Sequence, residues 1–80
     1  MLQELASQSK VIGVKQSRKA IGEGHAAKAF FADNADPALI DPLREACVRQ
    51  GVSIESGMSC EELGRACKIS VGAAVAVLLK

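Results

Sequence analysis

Ala27-Lys28-Ala29-Phe30-Phe31-Ala32 runs directly into Asp33-Asn34-Ala35-Asp36-Pro37, and the fold turns on how that junction is read. The first six residues hold both aromatic side chains of the chain. A short apolar run bounded by turn-forming residues is the pattern of a central strand buried on both faces. Asp36 is a good helix N-cap, and Pro37 suits the first helical position because its missing N–H would have no partner there. The helix so opened is predicted to reach about Gln50, with Leu39, Ile40, Leu43, Ala46 and Cys47 on its inner side and Gly51 ending it. A buried strand feeding a capped helix is a unit of α/β architecture.

Reading outward, the same alternation continues in both directions. Residues 2–9 have Leu2, Leu5 and Ala6 at helical spacing, Val11-Ile12 is a short strand stopped by Gly13, and Val14 to Glu23 is an amphipathic helix ended by Gly22 or Gly24. Downstream, Val52 to Glu55 reads as a strand. Ser59 followed by Glu62 is a capping-box pattern that opens a helix from Cys60 to about Cys67, Lys68 to Gly72 is a loop, and Ala73 to Leu79 is the last strand. The order α-β-α-β-α-β-α-β with short connections predicts a compact α/β sandwich with helices on both sheet faces. Eighty residues make one domain with a modest core. No repeat, linker or low-complexity stretch interrupts it.

Composition narrows the function classes. A hydrophobic fraction of 49% argues against disorder. Cys47, Cys60 and Cys67 are odd in number and form no C-x-x-C pair, and His25 is the single histidine, so reduced thiols and no zinc site are expected. The longest apolar run, Ala73 to Leu79, is too short to span a membrane, and Met-Leu-Gln-Glu lacks the features of a signal peptide. A cytoplasmic protein is expected, with neither a cofactor nor a metal. Asp33, Asp36 and Asp41 lie close together in the chain, but no nucleophile or second histidine completes a catalytic set, so no enzyme is expected. Gly22-Glu23-Gly24 is a turn and not a phosphate loop, because no G-K-[ST] follows.

The net charge of +1 hides a polarised distribution. Residues 1–30 carry five cations against two acids, residues 31–64 two against seven, and residues 65–80 three against none. If the first and last segments meet in space, they form one basic face; scattered solvated charge is the plainer alternative. Two constellations bear on the choice. Gly13-Val14-Lys15-Gln16-Ser17-Arg18-Lys19 marks a strand turning into a helix, where unpaired N–H groups attract phosphate and Gly13 permits close approach. Lys15, Gln16 and Lys19 share one surface at i,i+3 and i,i+4 spacing. Two lysines at a helix start oppose the macrodipole, which an anionic partner would explain, although the spacing alone slightly favours a solvated helix face. Gly64-Arg65 and the loop Lys68-Ile69-Ser70-Val71-Gly72 place two apolar side chains in a surface loop, either folded back on the core or offered as a platform for unstacked bases.

Three segments together resemble a known family. They are Val11-Ile12-Gly13-Val14-Lys15-Gln16-Ser17-Arg18-Lys19-Ala20, then Ala32-Asp33-Asn34-Ala35-Asp36-Pro37, then Leu63-Gly64-Arg65-Ala66-Cys67-Lys68-Ile69-Ser70-Val71-Gly72-Ala73-Ala74. Over nearly the whole chain the sequence resembles the kink-turn RNA-binding ribosomal proteins of the L7Ae type, and especially their small bacterial, YbxF-like members. The resemblance implies a single-domain, three-layer α-β-α sandwich around a small mixed four-stranded sheet. It implies binding to kink-turns, helix–bulge–helix elements bent by tandem sheared G·A pairs. The family's Gly-x-Asn-Glu-x-x-Lys motif is matched at Gly13 and Lys19, with Lys15 and Gln16 in place of Asn and Glu. By the same resemblance Asp36 and Ile40 are expected near the bulge. Ile69, Ser70, Val71, Gly72 and Ala73 are expected on the flipped-out bases, with Arg65 beside them. Lys68 departs from the family's usual Gly. The expected partner is structured RNA containing a kink-turn, whether ribosomal RNA, a riboswitch or another non-coding RNA, in association with the ribosome or another ribonucleoprotein. DNA and membrane are not expected partners, and the protein is expected to be a monomer. A protein–protein interaction module on the ribosome or transcription machinery, which keeps the fold but has lost RNA binding, is the alternative, and the retained Gly13, Lys19 and loop count against it.

Overall fold

The computed structural model describes residues 9–80. The helix expected over residues 2–9 lies, apart from Ser9, outside the described residues. The elements that follow are β1 (Lys10–Ile12), α1 (Val14–Gly22), β2 (Ala26–Ala32), α2 (Pro37–Gln50), β3 (Ser53–Met58), α3 (Cys60–Ala66) and β4 (Val75–Leu79). The strands form one sheet in the order β1-β4-β2-β3. β4 is antiparallel to both β1 and β2, and β3 is parallel to β2, so the sheet is mixed. The last strand thus inserts into the middle. The two central strands are the most apolar, Ala-Ala-Lys-Ala-Phe-Phe-Ala and Val-Ala-Val-Leu-Leu, while the edges are a three-residue strand and the polar Ser-Ile-Glu-Ser-Gly-Met.

Alternation along the pleat divides the core in two. Ala29 and Phe31 of β2 and Val75 and Val77 of β4 face α1 and α2. Phe30, Ala32, Ala76 and Leu78 point the other way, onto Leu63 and Cys67 of α3. This is the three-layer sandwich, and it accounts for adjacent phenylalanines, one in each core. Both are fully buried, and each contributes roughly 1.5–3 kcal/mol of transfer free energy.

The helix ends follow local chemistry. The Asp36 carboxylate accepts the Ala38 N–H at 2.9 Å with Pro37 at the first position, and Gly51 closes α2 at φ 71 in the left-handed region. Pro42 sits inside α2 and leaves the Ala38 carbonyl without its helical donor; both residues are exposed, where water can replace that bond. The Ser59 hydroxyl accepts the Glu62 N–H at 3.1 Å and the Glu62 carboxylate accepts the Ser59 N–H at 2.9 Å, the reciprocal pair expected from the sequence.

Three boundaries differ from expectation. β3 extends to Met58 because Ser56-Gly57 is a bulge within the strand: Phe30 pairs Glu55 and Ala32 pairs Met58, so β3 holds one residue more. β4 begins at Val75 because Ala73 is drawn to α3, its N–H donating to the Cys60 carbonyl at 3.0 Å. Leu39, expected on the inner side of α2, is 50% exposed, since the buried stripe runs through Ile40, Leu43 and Cys47.

Candidate nucleic-acid interface

β1, β2 and β3 run in one direction and β4 in the other, so the ends of the first three strands and the start of the fourth share one rim of the sheet. Ligands of open α/β sheets gather at the carboxyl ends of the strands. Five hydrogen bonds stitch this rim together. Gly13 N–H donates to the Val75 carbonyl at 2.9 Å, Ala32 N–H to Ala74 at 2.9 Å and Asp33 N–H to Met58 at 2.7 Å. Cys60 N–H donates to the Asn34 side-chain oxygen at 2.8 Å, and Ala73 N–H to the Cys60 carbonyl at 3.0 Å. Residues 13, 32–34, 58–60 and 73–75 therefore meet, although they are distant in sequence.

Gly13 has φ 99, a conformation that L side chains rarely adopt, yet a Cβ built there would meet no atom of the described residues within 4 Å. The conformation favours glycine, and the space beside it is open among the described residues. Among the described residues no side chain caps α1, and its first turn contains no acid. Its leading N–H groups and partial positive charge thus face the rim uncompensated. Lys15, Gln16 and Lys19 are exposed on α1. Gln16 and Lys19 border a hollow on the β1 side shared with His25 and Lys80.

The loop rests on α3. Gly64 is buried, and a Cβ there would collide with the Val71 carbonyl oxygen and lie 3.0 Å from Gly72 Cα. Ile69 is half-buried and packs against the α3 core, whereas Val71 stands 68% exposed. The loop thus does both things its composition allowed: one apolar side chain anchors it and the other projects. Arg65, Ile69, Ser70, Val71 and Gly72 border a second hollow together with Glu61.

Two of the expected contacts are displaced. Ile40 is 5% exposed in the core beneath α2 and presents little surface. Ala73 is likewise buried, with its N–H committed to Cys60. The Asp36 carboxylate is exposed but engaged in capping α2. The single basic face also resolves into two groups. Lys80 joins Lys19 at the α1 hollow, while Arg65 and Lys68 lie at the end of α3, in the opposite layer. Asn34 and Gly64 stood in the quoted segments without a role; here they position the rim, Asn34 by accepting the Cys60 N–H and Gly64 by letting the loop lie against α3. The signal for Asn34 was an amide residue in the turn after a buried strand, where a side-chain oxygen readily accepts a backbone N–H.

Burial pushes the Cys47 and Cys67 thiols up, against the weaker pull of Arg44 on the first and Lys10 on the second. Both are held away from the thiolate form that nucleophilic chemistry needs. Among the described residues no cluster of His, Cys, Asp and Glu could hold a metal, and no helix is long and apolar enough to cross a membrane.

A model of the ribosomal protein L7Ae/L30e/S12e/Gadd45 family matches residues 2–80. The chain belongs to this family. An RNA-binding protein of Geobacillus sp. is 40% identical to it over 70 residues, which is 88% of this chain and 85% of that one. The RNA-binding protein YbxF of Geobacillus stearothermophilus is 39% identical over the same shares of the two chains. Among solved structures, the 15.5kD RNA binding protein of Giardia lamblia superposes with a TM-score of 0.88 at 33% identity, covering 99% of this chain and 68% of that one.

Proposed function

We infer that this protein is a non-enzymatic, monomeric, cytoplasmic RNA-binding module that recognises kink-turns in structured RNA. The observation that carries this reading is the bond from Gly13 N–H to the Val75 carbonyl. It fastens the uncapped start of α1 to the strand that the loop feeds, so that an anion-attracting helix end and a projecting apolar loop share one rim. Family membership and the RNA-binding relatives support it. In this reading phosphates lie against the α1 N-terminus and Lys15. Gln16 and Lys19 read the guanine edges of the sheared pairs, where glutamine can both donate and accept. Val71 packs on a splayed base, with Ile69 holding the loop in place. The bent RNA is selected from a population that also contains extended forms.

Fluorescence titration with a kink-turn RNA and with a straight duplex of matched length tests this. Preference for the kink-turn by at least about tenfold is expected, the scale of one good bidentate base contact. Equal affinity for the two would overturn the reading, and absence of binding to either would favour an interaction module instead.

A further inference from the structure

We propose that Lys68, together with Arg65, forms a second phosphate-binding station, which holds the RNA strand passing over Val71 from the layer opposite α1. The inference rests on the RNA-binding reading above and adds a residue and a polarity to it.

The first observation is conformational. Lys68 has φ 62 and is the one non-glycine residue with positive φ among the described residues. Its N–H donates to the Arg65 carbonyl at 3.0 Å, and the next N–H, of Ile69, donates to the Gly64 carbonyl at 3.1 Å. That pair of bonds is the helix ending whose left-handed residue is ordinarily glycine, because a Cβ is penalised there. The turn is therefore built as a glycine would build it, with a lysine carrying the strain. Non-glycine residues in this region persist where something outside the local backbone favours them.

The second observation is that the protein supplies little compensation. Lys68 is exposed, and no ion pair among the described residues involves it. A cation near a helix C-terminus is favourable in itself, but Arg65 already fills that role in the last turn of α3.

The third is position. Lys68 opens the loop whose tip is Val71, and Arg65 borders the hollow beneath that tip. α3 covers the sheet face opposite α1 and α2. Lys15 and Lys19 therefore belong to one layer, and Arg65 and Lys68 to the other. An RNA strand laid over Val71 would have cations on both flanks, an arrangement that suits a backbone turning sharply, where phosphates of the two stems converge.

The test uses the full chain and the kink-turn RNA of the previous section. Lys68→Gly, Lys68→Gln and Lys68→Arg are compared with the wild type by titration over a range of salt, with thermal unfolding measured in parallel. Lys68→Gly is expected to unfold at no lower temperature than the wild type. Both Lys68→Gly and Lys68→Gln are expected to bind about fivefold more weakly at ~0.1 M salt, with a log affinity–log salt slope shallower by about one unit. Lys68→Arg should keep both affinity and slope. Unchanged affinity and slope in Lys68→Gly and Lys68→Gln, while the wild type still prefers the kink-turn, would overturn the inference and leave the RNA-binding reading standing. A wild type with no such preference would overturn both.

Discussion

Lys19 and Ser17 lie two residues apart on α1 and belong to different problems. Lys19 is exposed and borders the hollow beside β1, so its removal leaves the core untouched. Lys19→Ala is expected to weaken kink-turn binding by about 1–3 kcal/mol while circular dichroism and the unfolding midpoint stay at wild-type values. Ser17 is fully buried, and its hydroxyl has no hydrogen-bond partner among the described residues. A buried hydroxyl without a partner carries its desolvation cost uncompensated, so Ser17→Ala should stabilise the protein by about 1 kcal/mol in urea unfolding. It should also leave RNA affinity unchanged; a loss of affinity would mean that the hydroxyl serves the interface. Much at this scale was legible beforehand. The Ser59–Glu62 capping box and the Asp36 cap use bonds within a few residues of chain, which spacing reveals. The burial of Ile40 was half legible: helical spacing placed it on the inner side of α2, while the family pattern offered it to RNA, and packing decided for the core.

Among the elements, α3 and the loop after it act as one piece. Gly64 brings the loop into contact with the helix backbone, and the obstacle to any Cβ is main chain, which has little freedom to yield. Gly64→Ala is expected to cost about 1–3 kcal/mol in stability. RNA affinity should fall with it at temperatures where the variant remains folded, because Val71 shifts with the loop. Wild-type affinity in that variant would show that the position of Val71 is unimportant. The sequence was read correctly for the existence and type of every element described, and less well for their ends. Ser56-Gly57 resembles a turn because glycine and serine usually mark one; here Gly57 has φ 96 and its N–H donates to the Asp33 carboxylate at 3.0 Å, which continues the strand through a bulge. Ala73-Ala74 resembles the start of a strand, but the tie from Ala73 to Cys60 lies outside any local pattern.

For the whole molecule, each of the two cores holds a buried thiol that ties stability to alkaline pH. Cys47 lies in one and Cys67 in the other, and burial raises both thiols above their ordinary value. The folded state holds these protons more tightly than the unfolded chain does. The resulting stability is fully present below the unfolded thiol value, about 8.5, and is lost as pH rises through the folded values. The urea midpoint should therefore stay level through neutral pH and fall above about pH 9, less steeply in a Cys67→Ala variant. At this scale the sequence revealed least. Alternating elements imply layers, but they do not say that β4 enters between β1 and β2, nor that among the described helices α3 alone covers its face. Those outcomes depend on which strands are apolar on both sides, a comparison across the whole chain.

The central placement of β4 governs the order in which the protein can be made. During synthesis β2 emerges with Phe30 and Phe31 long before residues 75–79 exist to flank it. Until then β1 has no neighbour with which to pair, and the rim has neither its loop nor the clasp at Gly13. A nascent chain stopped short of residue 75 lacks both the strand that flanks β2 and the partner of the Gly13 N–H, so one segment completes the sheet and the rim alike.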